Sequence, residues 1–277
     1  MLFSRVDLIT DLFVWLDDRV TTSVAVGRPS LLSDSELLTI LVWDTLVLKQ
    51  KTIRDIYQWV RLYHDREFPH LPAYNNFLKH CHRLIPTFQK ILTEILSTNT
   101  PLRFMDATML PVCAHARADA HKVAKQWADF GKNWQGWHYG FKLHASIDPQ
   151  GSLCAIVFSK ASVFDGKEAI KLVNKHTKMV VADFSYGGKV LREQLWNERG
   201  VFVLAPPAPA HKTKIVAPWQ HFLLSYRSKI ESVFDYLKSH LSLVTSFPRS
   251  VAGYFFHYLR VLLSYQIMCL VRSGEEK

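Results

Sequence analysis

Cysteine is sparse and dispersed in this 277-residue chain. Its 4 cysteines, Cys81, Cys113, Cys154 and Cys269, include no close pair, which excludes a disulfide framework and predicts a reducing compartment. The nearest His/Cys sets, His80-Cys81-His82 and Cys113 with His115, lack a C-x₂-C partner, so a structural zinc has little support. No glycine-rich phosphate loop, dinucleotide fingerprint or nucleophile-elbow serine occurs, which leaves ATP, NAD and Ser/His/Asp hydrolysis without support. Internal repeats and low-complexity tracts are missing as well. Long apolar runs are few: the best, residues 255–271, is interrupted by His257 and Arg260 and falls short of a membrane span. At the start, Asp7, Asp11, Asp17 and Asp18 break up any secretory h-region. A soluble cytoplasmic protein is expected.

What is abundant is apolar and basic. With 48% hydrophobic and 13% aromatic residues the chain has ample material for a packed core, in one large domain or two ordinary ones. Lys and Arg number 34 against 24 acidic residues, a net charge of +10. Residues 1–100 balance 11 basic against 11 acidic, so the whole excess lies in residues 101–277. Basic charge confined to one part of a chain points to a polyanion, most often nucleic acid.

The first hundred residues read as helices. Val6, Ile9, Leu12, Phe13 and Leu16 share one helical face, and Gly27-Arg28-Pro29 then breaks the pattern. Ser33 and Glu36 form a capping box opening a buried helix to about Leu48; further helices are predicted over 52–63 and 74–96, the latter interrupted at Pro86. From Pro101 the pattern becomes mixed. A short strand is predicted at 102–106, an alternating strand at 141–147, a turn at Asp148-Pro149-Gln150-Gly151 and a strand at 153–158. A helix over 165–176, a strand ending at Asp183, a helix over 188–198, a strand at 201–204 and helices over 219–240 and 250–271 follow. This order predicts a mixed sheet flanked by helices.

Three carboxylates occupy positions suited to chemistry. Asp106 and Asp183 each end an apolar strand, where open sheets build their sites, and Asp183 leads into the glycine-rich stretch Phe184-Ser185-Tyr186-Gly187-Gly188. Glu231 sits beside Ile230, Val233 and Phe234, expected buried company in which a carboxylate needs a cation or donor. Asp148 reads instead as a turn residue and Asp165 as a helix cap. Oxygen ligands of this kind select hard Mg²⁺ or Mn²⁺. Arg227, four residues before Glu231, and Lys238, seven after it, lie near the same helical face; a phosphodiester backbone along that face would use both, whereas an ordinary i,i+4 ion pair would use only Arg227.

These residues resemble the D-D-E triad of bacterial insertion-sequence transposases. Asp106 stands in Met-Asp-Ala-Thr and Asp183 in Ala-Asp-Phe-Ser-Tyr-Gly-Gly, while Arg227, Glu231 and Lys238 fall in register with a Y-x₂-R-x₃-E-x₆-K signature whose first position holds Leu224, with Tyr226 two residues on. Gly140-Phe141-Lys142-Leu143-His144 is similar to that family's second core strand, and Gly27-Arg28-Pro29 and Leu71-Pro72-Ala73-Tyr74-Asn75 to its helical N-terminal part. The resemblance implies an α/β, RNase H-like mixed sheet in residues 101–277, behind an all-helical DNA-binding region in residues 1–100. It further implies two Mg²⁺ or Mn²⁺ ions on Asp106, Asp183 and Glu231, cleavage of double-stranded DNA at element ends, transfer of the 3′-hydroxyl to target DNA, and a homodimer on DNA. A nuclease without strand transfer and a non-catalytic DNA-binding protein are the alternatives.

Residues 107–138 form an insertion in which His115, Arg117, His121, Lys122, Lys125 and Lys132 alternate with Trp127, Trp134 and Trp137. It reads either as a backbone track with a stacking surface for unpaired bases or as a locally packed loop. Arg117, Lys132 and Lys142 join Arg227 and Lys238 as candidate DNA contacts. Between Asp183 and Glu231 lie only 47 residues, too few for a further inserted domain.

Overall fold

The structure is a computed structural model that describes residues 5–20, 30–133, 135–207 and 217–274. Gly27-Arg28-Pro29 and Trp134 lie outside the described residues.

Five helices make the N-terminal layer: α1 (Arg5–Asp17), α2 (Asp34–Trp43), α3 (Ile53–Tyr63), α4 (Tyr74–Arg83) and α5 (Ile85–Ile95). The capping box forms as its spacing dictates. Ser33 Oγ accepts the Glu36 N–H at 3.1 Å, and Glu36 Oε2 accepts the Ser33 N–H at 2.6 Å. A π-helical turn, Asp44–Leu48, closes α2. The predicted 74–96 helix is two helices, broken at Leu84; Pro86 falls in the first turn of α5, where its missing N–H costs nothing.

The sheet contains β1 (Leu102–Cys113), β2 (Asp129–Asn133), β3 (Gly136–Ile147), β4 (Leu153–Lys160), β5 (Met179–Ala182) and β6 (Phe202–Leu204). β1, β3 and β4 form an antiparallel meander, and β5 then β6 extend the free edge of β1 in parallel. This is an RNase H-like order, with α6 (Asp165–Glu168), α7 (Lys189–Arg199), α8 (Pro218–Ser225), α9 (Ser228–Asp235) and α10 (Val251–Ser273) against it. The Asp148 turn forms because one carboxylate oxygen, Oδ1, accepts the N–H groups of Gln150, Gly151 and Ser152 at 2.8–2.9 Å.

Three strand and helix expectations change. β1 does not stop at Asp106 but runs on to Cys113, because β3 continues alongside it to Tyr139. There the register slips between Pro111 and Cys113, and only glycine fits opposite: a Cβ on Gly140 would stand 2.2 Å from the Leu110 carbonyl oxygen. The 165–176 helix shortens to α6 plus a 3₁₀ turn, Ala169–Leu172. The 219–240 helix is α8, a turn at Tyr226-Arg227, α9 and a π-helical turn, Tyr236–His240.

One apolar core joins both halves of the chain. α10 packs on α2, α4 and α5 as well as on the sheet, and the core runs from Ile9 to Leu270. α10 is long and apolar enough to cross a membrane, but most of it is buried inside the protein. Gln266 ties the layers together: its Oε1 accepts the Leu153 N–H at 2.8 Å and its Nε2 donates to the Ile95 carbonyl at 2.9 Å. Residue 100 is therefore a boundary of secondary-structure type and not of packing.

Candidate active site

Strand alternation places two carboxylates on one face of the sheet. Phe104 and Val181 lie in the core shared with α9, whereas Met105 and Ala182 lie in the core under α7. Asp106 and Asp183 follow the pattern of the former pair and face α9. They are also neighbours, since the parallel β1–β5 pairing ends at Met105 opposite Ala182, one position before each aspartate. Asp183 thus ends a strand as expected, while Asp106 marks the end of the parallel pairing inside a longer strand.

Their surroundings are electrostatically unbalanced. Burial pushes the Asp106 carboxyl up to about 7; the charges of Asp183 and Asp165 push in the same direction, and the Ala107 N–H, 2.8 Å from Oδ1, and Arg227 oppose it. Asp183 Oδ1 accepts the backbone N–H of Ser185 at 2.8 Å and its hydroxyl, which fixes one oxygen at the start of the Phe184–Gly187 turn. Tyr186, fully buried, carries a hydroxyl with no hydrogen-bond partner among the described residues, and it lies within the fields of Asp106, Asp165 and Asp183. In the sequence this phenol is marked only by its place in the loop after Asp183.

The α9 region supplies the cations. Arg227 sits in the turn before α9 and Lys238 in the π-helical turn after it. Both interact with Asp106: Arg227 pulls its pKa down, while burial lowers the pKa of Lys238 and the charges of Asp235 and Asp106 hold it up. Glu231 departs from expectation. It is 51% exposed rather than buried, because it lies on the helix face away from Ile230, Val233 and Phe234, and its Oε1 meets Arg227 Nη2 at 2.6 Å. Among the described residues no three His, Cys, Asp or Glu side chains gather as a metal cage. Asp106 and Asp183 nevertheless suit a hard cation, because a divalent charge offsets the burial and repulsion that raise Asp106. Glu231 has one oxygen, Oε1, engaged by Arg227.

The remaining candidates divide. Lys142, a candidate DNA contact, is 8% exposed and on the opposite face of the sheet. Its ammonium donates to Asp165 Oδ1 at 2.8 Å and to the Val163 carbonyl at 2.7 Å, so it is not available to a phosphate. The polar row of β3 is buried throughout, with His144 on Ser159 and Ser146 on the Leu172 carbonyl. Asp165 is thus a partner for Lys142, and Phe164 stands at the cap position. The expected 107–138 insertion is narrower: residues 107–113 belong to β1, 129–133 to β2 and 136–138 to β3, and only the stretch between β1 and β2 is inserted. Arg117 on that stretch and Lys132 on β2 are exposed, as are Trp127 (58%) and Trp137 (54%), and the Lys132 ammonium lies 5.8 Å from the Trp137 ring centroid. Ala118, Ala124, Ala128 and Tyr139 provide the packing that holds the segment.

Residues 96–251 match the family profile described as the transposase DDE domain. No curated protein matches the chain. Among solved structures it is similar to a Mos1 transposase paired-end complex with the left transposon end, a Mos1 mariner paired-end complex with Mn and a Mos1 strand transfer complex. These are 14%, 13% and 14% identical; the matches cover 99%, 99% and 100% of this chain and 89% of each of theirs, at a TM-score of 0.24 in every case.

Proposed function

Because this chain belongs to the transposase DDE-domain family, we propose that it cuts DNA at the ends of a mobile element and joins the freed 3′-hydroxyl to target DNA. The observation that carries this reading is the pair Asp106 and Asp183, side by side within the matched region and facing a helix flanked by Arg227 and Lys238. Transposases of this class use divalent metal ions. Asp106, Asp183 and Glu231 would hold Mg²⁺ or Mn²⁺, and two such ions would supply Lewis-acid activation of a water and of the leaving oxygen.

The chain's own groups do the rest. Asp106 has to give up its proton before it can act as a ligand, and Ala107 N–H and Arg227 already favour the charged form. Arg227 and Lys238 both lie within the field of Asp106 and would hold the phosphates on either side of the scissile one. Arg117, Lys132, Trp127 and Trp137 offer a cationic and aromatic track for flanking DNA. Residues 1–100, electrically neutral overall, would supply sequence preference, since base readout depends on particular side chains rather than bulk charge. Two protomers holding two ends would make the working unit a homodimer on DNA, inside the cytoplasm.

The Arg227–Glu231 pair favours a second reading, DNA binding without cleavage, since it occupies the third carboxylate. Incubating the protein with the DNA flanking its own gene and Mg²⁺ or Mn²⁺ decides between them. End cleavage followed by a joined product supports transposition, cleavage without joining reduces the protein to a nuclease, and binding alone establishes the second reading.

A further inference from the structure

α9 has a second side. Along a helix Glu231 shares a face with Arg227 and Lys238, while Ser228, Lys229, Ser232 and Tyr236 fall about 60–160° further round. Those residues line an open cleft of about 790 Å³ between α8, α9, the far end of α10 and the β3–β4 turn. Neither Asp106 nor Asp183 lines it.

Its chemistry is specific. Lys229 and Arg272 line it, no carboxylate does, and among the described residues neither cation has an acidic partner within 4.0 Å. The Arg272 guanidinium lies 5.9 Å from the Tyr236 ring centroid. At the mouth, Phe222 and Tyr226 are 58% and 48% exposed, with ring centroids 5.0 Å apart. Uncompensated cations recruit an anion, and large exposed rings beside them offer a face to a planar group. A duplex cannot use such rings, because its bases are already stacked on one another; an unpaired strand presents both a phosphate and a free base.

We propose that this cleft binds single-stranded DNA, with phosphates on Lys229 and Arg272 and a base against Phe222 or Tyr226. The proposal rests on the DNA-transposing function above and adds a site on the other face of the helix that carries Glu231. A strand released or held unpaired near the reacting end would be retained there.

Binding of a fluorescent oligothymidine of about 20 nucleotides, and of a duplex of equal length, measured across salt concentrations in full-length protein, tests this. Lys229→Gln with Arg272→Gln should make the log–log salt slope for the single strand shallower by about 1.4, at roughly 0.7 per lost contact. Lys175→Gln with Lys178→Gln, which removes the same charge from exposed residues elsewhere, should change the slope far less. Phe222→Ala removes no charge and should weaken single-strand binding about tenfold while leaving the duplex unchanged. Loss equal to that of the Lys175/Lys178 control, or equal loss for both DNA forms on Phe222→Ala, overturns the cleft while leaving transposition standing. Failure of the unaltered protein to bind either DNA overturns both.

Discussion

Asp44 and Arg260 stand 216 residues apart in the sequence and meet at 3.1 Å in the interior, with 1% and 5% of their side chains exposed. Asp44 ends α2 and Arg260 is midway along α10, so this pair joins the N-terminal layer to the helix that backs the sheet. Burial raises the Asp44 carboxyl to about 6 even against the charge of Arg260, which shows that desolvation outweighs the attraction.

Breaking that pair should be costly and replacing it should not. Asp44→Asn leaves a buried guanidinium without its counter-charge, and unfolding in urea should show a loss of about 3–5 kcal/mol. Asp44→Leu combined with Arg260→Met should recover most of this. A double variant as unstable as the single one would mean that the polar pair also specifies the packing.

The state of Asp106 predicts opposite pH trends with and without metal. Its folded carboxyl is raised from 3.8 to about 7, so the unfolded chain releases that proton first, and stability falls as pH rises between those values. In metal-free buffer, Asp106→Asn should therefore gain stability relative to the unaltered protein as pH rises from about 5 to 8. With Mn²⁺ the trend reverses, since proton and metal compete for one carboxylate: the increase in Tm on adding Mn²⁺ should be larger at about pH 8 than at about pH 5.5, and absent in Asp106→Asn. Equal Mn²⁺ protection at both pH values would remove Asp106 from the ligands.

Asp183→Asn and Glu231→Gln should each abolish end cleavage while leaving binding of duplex DNA within about twofold, because each removes an anionic ligand with little change of shape. Cleavage at a near-normal rate by Glu231→Gln would make Glu231 a surface partner of Arg227, a role worth only a few tenths of a kcal/mol.

Lys238 separates a phosphate contact from a structural one. It is half-buried and lies in the field of Asp106, away from the Arg227–Glu231 pair. Lys238→Ala should make the salt slope for duplex binding shallower by about 0.9 and reduce cleavage more than binding. An unchanged slope with normal cleavage would leave it a packing residue.

The strand-end aspartates were legible because strand polarity and hydrophobic runs are local signals. Their adjacency needs the β1–β5 pairing across more than seventy residues, and only the family resemblance anticipated it. The exposure of Glu231 is not legible because the apolar residues beside it in sequence, Ile230, Val233 and Phe234, are the ones that α9 buries. Lys142 is the opposite case: alternation separates it from Leu143 and Ala145, but both faces of β3 are covered, so the polar row is interior. Arg103 belongs with it, wholly buried and donating to the carbonyls of Thr98 and Leu172. Position in the sequence cannot reveal a charged residue that the fold uses to hold main-chain carbonyls.

The continuous core changes how the two parts of the chain can be tested. A fragment of residues 101–277 retains α10 but exposes the surface that covers α2, α4 and α5, and should aggregate rather than bind DNA as an independent unit. Soluble, cooperatively unfolding fragment would show that the shared core is dispensable.

α10 also imposes an order in time on a growing chain. The ribosome delivers residues 5–95 first, and the sheet that carries Asp106 and Asp183 next, yet the helix that both rest on emerges only after them. Gln266, which bridges Ile95 and Leu153, is made when every one of its partners is already waiting. A nascent chain halted before residue 251 would hold both aspartates and Glu231 without the support that aligns them. Alignment of the two aspartates thus becomes a late event of synthesis, completed only when α10 closes the shared core.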